Sequence, residues 1–138
     1  MEYTIIEKLP TAAEYNYLRE RVGWALNEKT SIDKSLPNSL FCLTVYKNDQ
    51  IIGMGRIIGD GGLCFYIQDV VVIPEFQKNG IGKQIMKNIM QYIKNNATND
   101  SVIGLMSASG KETFYEKFGF TKRPKDKLGC GMTMCYKK

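Results

Sequence analysis

The chain has 138 residues, 43% of them hydrophobic, and sets 19 Lys and Arg against 14 Asp and Glu, with no histidine. That length suits one domain with a real core, so residues 1–138 are expected to fold as a single soluble unit. No apolar run approaches the ~20 residues of a membrane span, and the first residues lack a signal-peptide pattern, so the expected location is the cytoplasm, away from membranes.

The missing histidine removes the usual general base, any Ser-His or Cys-His nucleophile and the 2-His iron sites. A zinc site would need all four cysteines, Cys42, Cys64, Cys130 and Cys135, and their spacing contains no CxxC pair. No metal is therefore expected, and the thiols read as reduced and mostly buried. The net charge of +5 comes partly from Lys122, Arg123, Lys125, Lys127, Lys137 and Lys138. Aromatics do not interleave with a basic stripe, so nucleic acid is not the expected partner; a polyanionic cofactor also needs positive potential.

In chain order, residues 3–6 form a short apolar run that reads as a first strand. Thr11 and Glu14 make a capping box, which predicts a helix from there to about Val22 with Tyr15, Leu18 and Val22 on one face. Gly23 and Trp24 end it. Residues 27–38 are polar and read as a short helix and loop. Residues 40–46 and 51–58 read as strands around an Asn48-Asp49 turn, the second broken by Gly53 and Gly55. Asp60-Gly61-Gly62 is a hairpin signal leading into residues 64–73. Further on, residues 102–106 read as a strand and 110–118 as a short helix. Phe120 begins another strand, and residues 131–136 read as the last.

The chain is organised around residues 69–96. Val70, Val71, Val72 and Ile73 form a β-branched run that reads as a buried strand, stopped by Pro74. A polar loop, Gln77-Lys78-Asn79-Gly80-Ile81-Gly82, follows. Then Ile81, Ile85, Met86, Ile89, Met90 and Ile93 recur at the spacing of one helix face. Strand, glycine loop and helix together predict an anion site. First-turn amides have no partner inside a helix, the macrodipole is positive there, and Gly80 and Gly82 leave the backbone open. Lys78 and Lys83 add charge, so a phosphate or pyrophosphate is the expected guest. The alternative is an ordinary turn that needs glycine for its geometry.

Neither common glycine fingerprint fits. Phe76 stands where a Walker A loop needs its first Gly, and Gln84 stands where a hydroxyl should follow Lys83. Ile85 replaces the third Gly of a Rossmann turn. The pattern Gln-x-x-Gly-x-Gly after a strand and proline instead resembles the GNAT superfamily of acyl-CoA-dependent N-acyltransferases. A second block, Phe114-Tyr115-Glu116-Lys117-Phe118-Gly119-Phe120, is similar to that family's Tyr-x-Lys-x-Gly-Phe segment.

The resemblance implies an α/β (α+β) fold: a single mixed, mostly antiparallel, splayed sheet with helices on both faces. It also implies the element order β-α-α-β-β-β-α-β-α-β-β, which the elements above follow. The resemblance implies acetyl-CoA as co-substrate, its pantetheine arm along Val70, Val71 and Val72 and its pyrophosphate on Gln77, Lys78, Asn79, Gly80, Ile81, Gly82 and Lys83. It implies that Tyr115 protonates the leaving thiolate, and that a backbone amide at Val71 or Val72 polarises the thioester carbonyl. The general base is open between a water chain and a carboxylate. Asp69, Glu75 and Glu112 are nearest, and Asp69 is the candidate base or relay. Many relatives carry an Asn at the entry to the tyrosine helix. Here Ser109 or the amides of Gly110 and Lys111 take its place, or the contact is absent.

The resulting reading is an N-acetyltransferase acting on a primary amine of a small molecule by direct attack in a ternary complex, its oligomeric state open between monomer and the homodimer that the resemblance allows. Acetylation of protein lysine or N-terminal amines, and a non-catalytic CoA-binding regulator, are the alternatives.

Overall fold

Antiparallel pairing builds most of the sheet. β1 (Thr4–Glu7), β2 (Phe41–Lys47), β3 (Gln50–Gly59) and β4 (Cys64–Val72) pair in sequence order, and β5 (Val102–Leu105) takes the outer place beside β4. The helices are α1 (Ala12–Arg21), α2 (Lys29–Ser35), α3 (Ile81–Asn96) and α4 (Glu112–Glu116). This computed structural model describes residues 1–138 as two compact units, Met1–Gly104 and Leu105–Lys138.

In the first unit the capping box forms as read. Glu14 N–H donates to Thr11 Oγ1 at 3.0 Å, and Thr11 N–H donates to Glu14 Oε1 at 2.9 Å. Tyr15 and Leu18 of α1 are buried, while Val22 is the half-buried cap residue. β3 is buried without a break from Ile51 to Ile57, because the sheet is covered on both faces there. Gly55 lets α3 lie close: a Cβ on it would stand 2.7 Å from Ile85 Cγ2 and 2.9 Å from Ile89 Cδ1. Its neighbour Arg56 points the other way, toward the α1 side. On α3, Ile81, Ile85, Met86, Ile89 and Ile93 are buried and Met90 is half-buried, which is the predicted face. β5 meets the start of β4, where Val102 N–H donates to the Leu63 carbonyl at 2.8 Å. The result is the mixed sheet with flanking helices that the sequence predicts.

The second unit departs from the sequence reading. The helix expected over 110–118 is only Glu112–Glu116, and neither strand expected after it forms within the chain. Residues 121–138 are exposed throughout, with one isolated bridge between Lys125 and Leu128. The physical reason differs between the two. Lys122 to Lys127 is a run of charges interrupted by Pro124, which has no N–H to give to a ladder. Residues 131–136 alternate as a strand should, but the backbone of residues 130–138 makes no hydrogen bond within the chain.

The cysteine expectation also changes. Only Cys42 is buried; Cys64, Cys130 and Cys135 are exposed, the first at the rim of β4 and the others in the exposed stretch. No helix is long and apolar enough to cross a membrane, and no three metal-ligating side chains gather at one place.

Candidate active site

β4 is bulged in its middle. Arg56 of β3 pairs with Gln68 and Met54 pairs with Val71, so Asp69 and Val70 together stand opposite Gly55. The extra residue puts Asp69 at φ +56°, in the left-handed region that few residues other than Gly, Asn and Asp adopt. A strained, buried carboxylate needs partners, and it has them. Asp69 Oδ2 accepts from the Tyr15 hydroxyl at 2.8 Å and from Arg56 Nε at 2.8 Å. Oδ1 faces Arg19 Nη1 at 3.6 Å and accepts from Gln68 Nε2 at 3.4 Å. Arg56 Nη1 also donates to Ser39 Oγ at 3.3 Å. Tyr15, Arg56 and Asp69 are all buried, and burial, then the Asp69 charge, pushes the Tyr15 phenol above its ordinary range.

Sequence reasoning placed Asp69 at the site but missed its partners. Arg56 carried the one available signal, as the single charge inside the apolar run Ile51–Ile58. A cation in such a run predicts a buried anion, though not which one. Of the other carboxylates considered as a base, Glu75 is held by Arg21 in a two-pronged ion pair, whose Nη1–Oε2 arm measures 2.8 Å. That pairing holds the Glu75 carboxyl below its usual range. Glu112 Oε1 is shielded from solvent and has no hydrogen-bond partner.

Beyond β4 the chain makes one 3-10 turn, Pro74–Phe76, and enters the loop. Gln77 Nε2 donates back to the Val72 carbonyl at 2.8 Å, and Asn79 Nδ2 donates to the Phe76 and Gln77 carbonyls at 3.3 and 3.1 Å. Two of the predicted loop residues thus brace the loop from within. Lys78 sits at φ +65° and Gly80 at φ +80°, and a Cβ on Gly80 would meet nothing within 4 Å.

Gly80 caps α3 with no side-chain hydrogen bond, and the first bond of the helix runs from Gln84 N–H to the Gly80 carbonyl at 3.1 Å. The amides of Ile81, Gly82 and Lys83 therefore have no partner within the helix. Lys78 and Lys83 are exposed and form no ion pair. Open amides, open space and two free cations suit a phosphate group.

In the second unit Tyr115 lies on α4, half-buried, with its ring edge-on to Phe114 at 5.0 Å and to Phe120 at 6.4 Å. Its hydroxyl makes no hydrogen bond within the chain, and burial raises its pKa. Ser107 Oγ donates to the Ala108 carbonyl at 2.7 Å at the entry to this helix.

A bulged strand running into a glycine-capped helix with free amides defines an α/β protein whose helix mouth suits a phosphate group beside a sheet strand. Residues 20–134 match the family model described as the acetyltransferase (GNAT) domain. The chain is 31% identical over 116 residues to an uncharacterised ycf52-like N-acetyltransferase of Prochlorococcus marinus, covering 81% of this chain and 63% of that one. It is 30% identical over 115 residues to the ycf52 N-acetyltransferase of Pyropia yezoensis, covering 80% and 65%. The chain thus spans slightly less than two thirds of the length of these relatives. Among solved structures, a Staphylococcus aureus protein of unknown function, SA2161, matches at TM-score 0.91 and 36% identity, over 98% of this chain and 100% of that one. A GNAT family protein from Streptococcus pneumoniae shares the fold at TM-score 0.78 and 23% identity, over 99% and 100%. The chain belongs to the GNAT acetyltransferase family.

Proposed function

We propose that this protein is an acetyl-CoA-dependent N-acetyltransferase that modifies a primary amine of a small molecule. The observation that carries the reading is the mouth of α3, where the amides of Ile81, Gly82 and Lys83 are free and Lys78 and Lys83 are unpaired beside a glycine that leaves 4 Å of open space. These residues, with Gln77, Asn79 and Gly80 shaping the loop, hold the pyrophosphate of the acyl donor. Val70, Val71 and Val72 offer the strand along which its pantetheine arm lies. Acetyl-CoA supplies an activated acetyl thioester.

The chain's own part is to orient that thioester and to manage two protons. An amide of Val71 or Val72 donates to the developing oxyanion. The Tyr115 hydroxyl, unpaired and held protonated by its burial, donates its proton at the departing sulfur. The amine's proton leaves through water. The network around Asp69 makes it an anchor for the bulge of β4 rather than the base: its oxygens already serve Tyr15, Arg56 and Arg19.

Thermal unfolding with acetyl-CoA, CoA, ATP or NADH, each added separately, tests the donor. A ligand at 100 times its Kd stabilises by about 2.7 kcal/mol, a shift of several degrees for a domain of this size. A shift with acetyl-CoA and CoA alone is the expected result, followed by release of free CoA thiol in a screen of small amines. A shift with none of the four would end the proposal.

A further inference from the structure

Within the unit Met1–Gly104, α1 reaches both ends of segment 69–75. At one end Tyr15 and Arg19 hold Asp69. At the other Arg21, the last residue of α1, pairs with Glu75 through both arms of its guanidinium group. That grip is itself braced: Arg21 Nη1 donates to the Tyr17 hydroxyl at 3.2 Å, and Gln50 Nε2 of β3 donates to the same oxygen at 2.6 Å. The next residue of the turn is gripped from a second element, since Lys47 Nζ of β2 lies 5.8 Å from the centre of the Phe76 ring. Gln77 then bonds back to the Val72 carbonyl of β4. Three consecutive residues, Glu75, Phe76 and Gln77, are thus each tied to a different element.

The ties end where the chain turns unfavourable. Lys78 stands at φ +65° and Gly80 at φ +80°. A non-glycine residue at positive φ persists only where its surroundings hold it there. The electrostatics add to this: Lys78 and Lys83 bring two cations to a helix mouth whose free amides carry the same sign of partial charge. Without an anion, the loop opposes its own shape. What fixes that shape must lie outside it, and the turn Pro74–Phe76 is the point of attachment.

The Arg21–Glu75 pair is badly placed to serve overall stability. Its side chains are 31% and 50% exposed, and ion pairs open to water contribute little to folding. Its two-pronged geometry does something else well, which is to set direction.

We propose that Arg21 and Glu75 are positioning residues for the phosphate loop: the pair fixes the turn Pro74–Phe76, and through it the placement of residues 77–83, whose amides receive the donor's pyrophosphate. The ligand in this statement rests on the acetyl-CoA reading above, whereas the clamp is a property of the unliganded chain. A field effect alone makes a different forecast. If the pair acted only by charge, removing the carboxylate would strengthen anion binding, removing the guanidinium would weaken it, and removing both would cancel.

A double-mutant cycle with Glu75→Gln, Arg21→Met and the two combined separates these cases, with CoA binding followed by calorimetric titration. Positioning predicts that each single variant binds CoA about 10-fold more weakly, and that the double variant is no weaker than either. Tighter binding by Glu75→Gln, or parental affinity in the double variant, would overturn the proposal in favour of a field effect. Hydrogen exchange of the unliganded proteins supplies the second readout. Amides of residues 77–83 should exchange faster in all three variants than in the parent, while those of β3 and the middle of α3 keep their protection and so report an intact fold. Unchanged exchange in the loop would overturn the clamp whatever the titrations show. A parent without affinity for CoA would end the acetyl-CoA reading, and with it the loop's assignment to a pyrophosphate.

Discussion

The Tyr15 hydroxyl donates a 2.8 Å hydrogen bond to Asp69 Oδ2, tying the first helix to the bulge of β4 across 54 residues of sequence. With Arg56 on the same oxygen at 2.8 Å, it holds a residue with positive φ in the middle of the strand that runs on to the glycine loop.

Breaking this network should cost stability in a graded way. Asp69→Ala leaves Arg56 buried without its anion, and losses of about 3–5 kcal/mol are usual for one removed partner of a buried pair. Tyr15→Phe removes a single bond to a charged acceptor and should cost about 1–3 kcal/mol. Urea unfolding of the three proteins measures both. Equal stability of Asp69→Ala and the parent would show that the bulge does not depend on the carboxylate.

The same pair sets an alkaline limit. Burial and the Asp69 charge raise the Tyr15 pKa above 10.0 in the folded state. Folded protein therefore holds this proton more tightly than unfolded protein, so stability is full below the unfolded value and falls as pH rises from there through the folded one. Melting temperatures measured across this range should fall less steeply in Tyr15→Phe. Tyr46, Tyr115 and Cys42, raised in the same direction, contribute to the same decline.

Much of this was legible in the residues. The α3 face repeats its apolar positions through Ile81, Ile85, Met86, Ile89 and Ile93, and the Thr11–Glu14 capping box is a local device, complete within four residues. The free amides at Ile81–Lys83 follow from helix geometry once Gly80 is known to cap it. The Asp69 hub was not legible, because its partners come from α1 and β3 and meet only when the sheet is built. The bulge was hidden for the same reason: it depends on how β3 and β4 register, and that is a property of the pair. Residues 131–136 alternate as a strand should, with Met132, Met134 and Tyr136 on one side, but no strand forms there, because alternation alone supplies no partner edge.

Thiol reactivity should separate the four cysteines. Cys42 is buried, and desolvation pushes its thiol up to about 11, which suppresses the thiolate that reacts. Cys64, Cys130 and Cys135 are exposed. Titration of native protein with a disulfide reagent should modify these three quickly and the fourth only on unfolding. Fast modification of all four would mean that β2 opens readily.

The glycine loop offers a test of binding without chemistry. Gly82→Glu places a carboxylate beside the free first-turn amides, and should abolish the stabilisation by acetyl-CoA while leaving the unliganded melting temperature close to the parent's. Gly55→Ala should behave in the opposite manner. Its methyl group collides with Ile85 and Ile89 in the seam under α3, an overpacking that costs about 1–3 kcal/mol. Calorimetric titration with CoA distinguishes the two. Normal CoA affinity in Gly82→Glu would move the pyrophosphate elsewhere.

Tyr115→Phe isolates the proton. The variant keeps the ring that packs on Phe114 and Phe120, so fold and CoA affinity should be unchanged. Turnover should fall by about 100-fold if the hydroxyl is the acid that protonates the departing sulfur. The pH profile adds a second criterion. Burial raises the Tyr115 pKa, so the acid stays protonated to higher pH than an exposed phenol would. In the parent enzyme, turnover should therefore hold through the pH range where an exposed tyrosine ionises and decline only above it. The Phe variant, already without the proton, should show no such decline. Unchanged turnover in Tyr115→Phe would remove this side chain from the mechanism and leave water to protonate the thiolate.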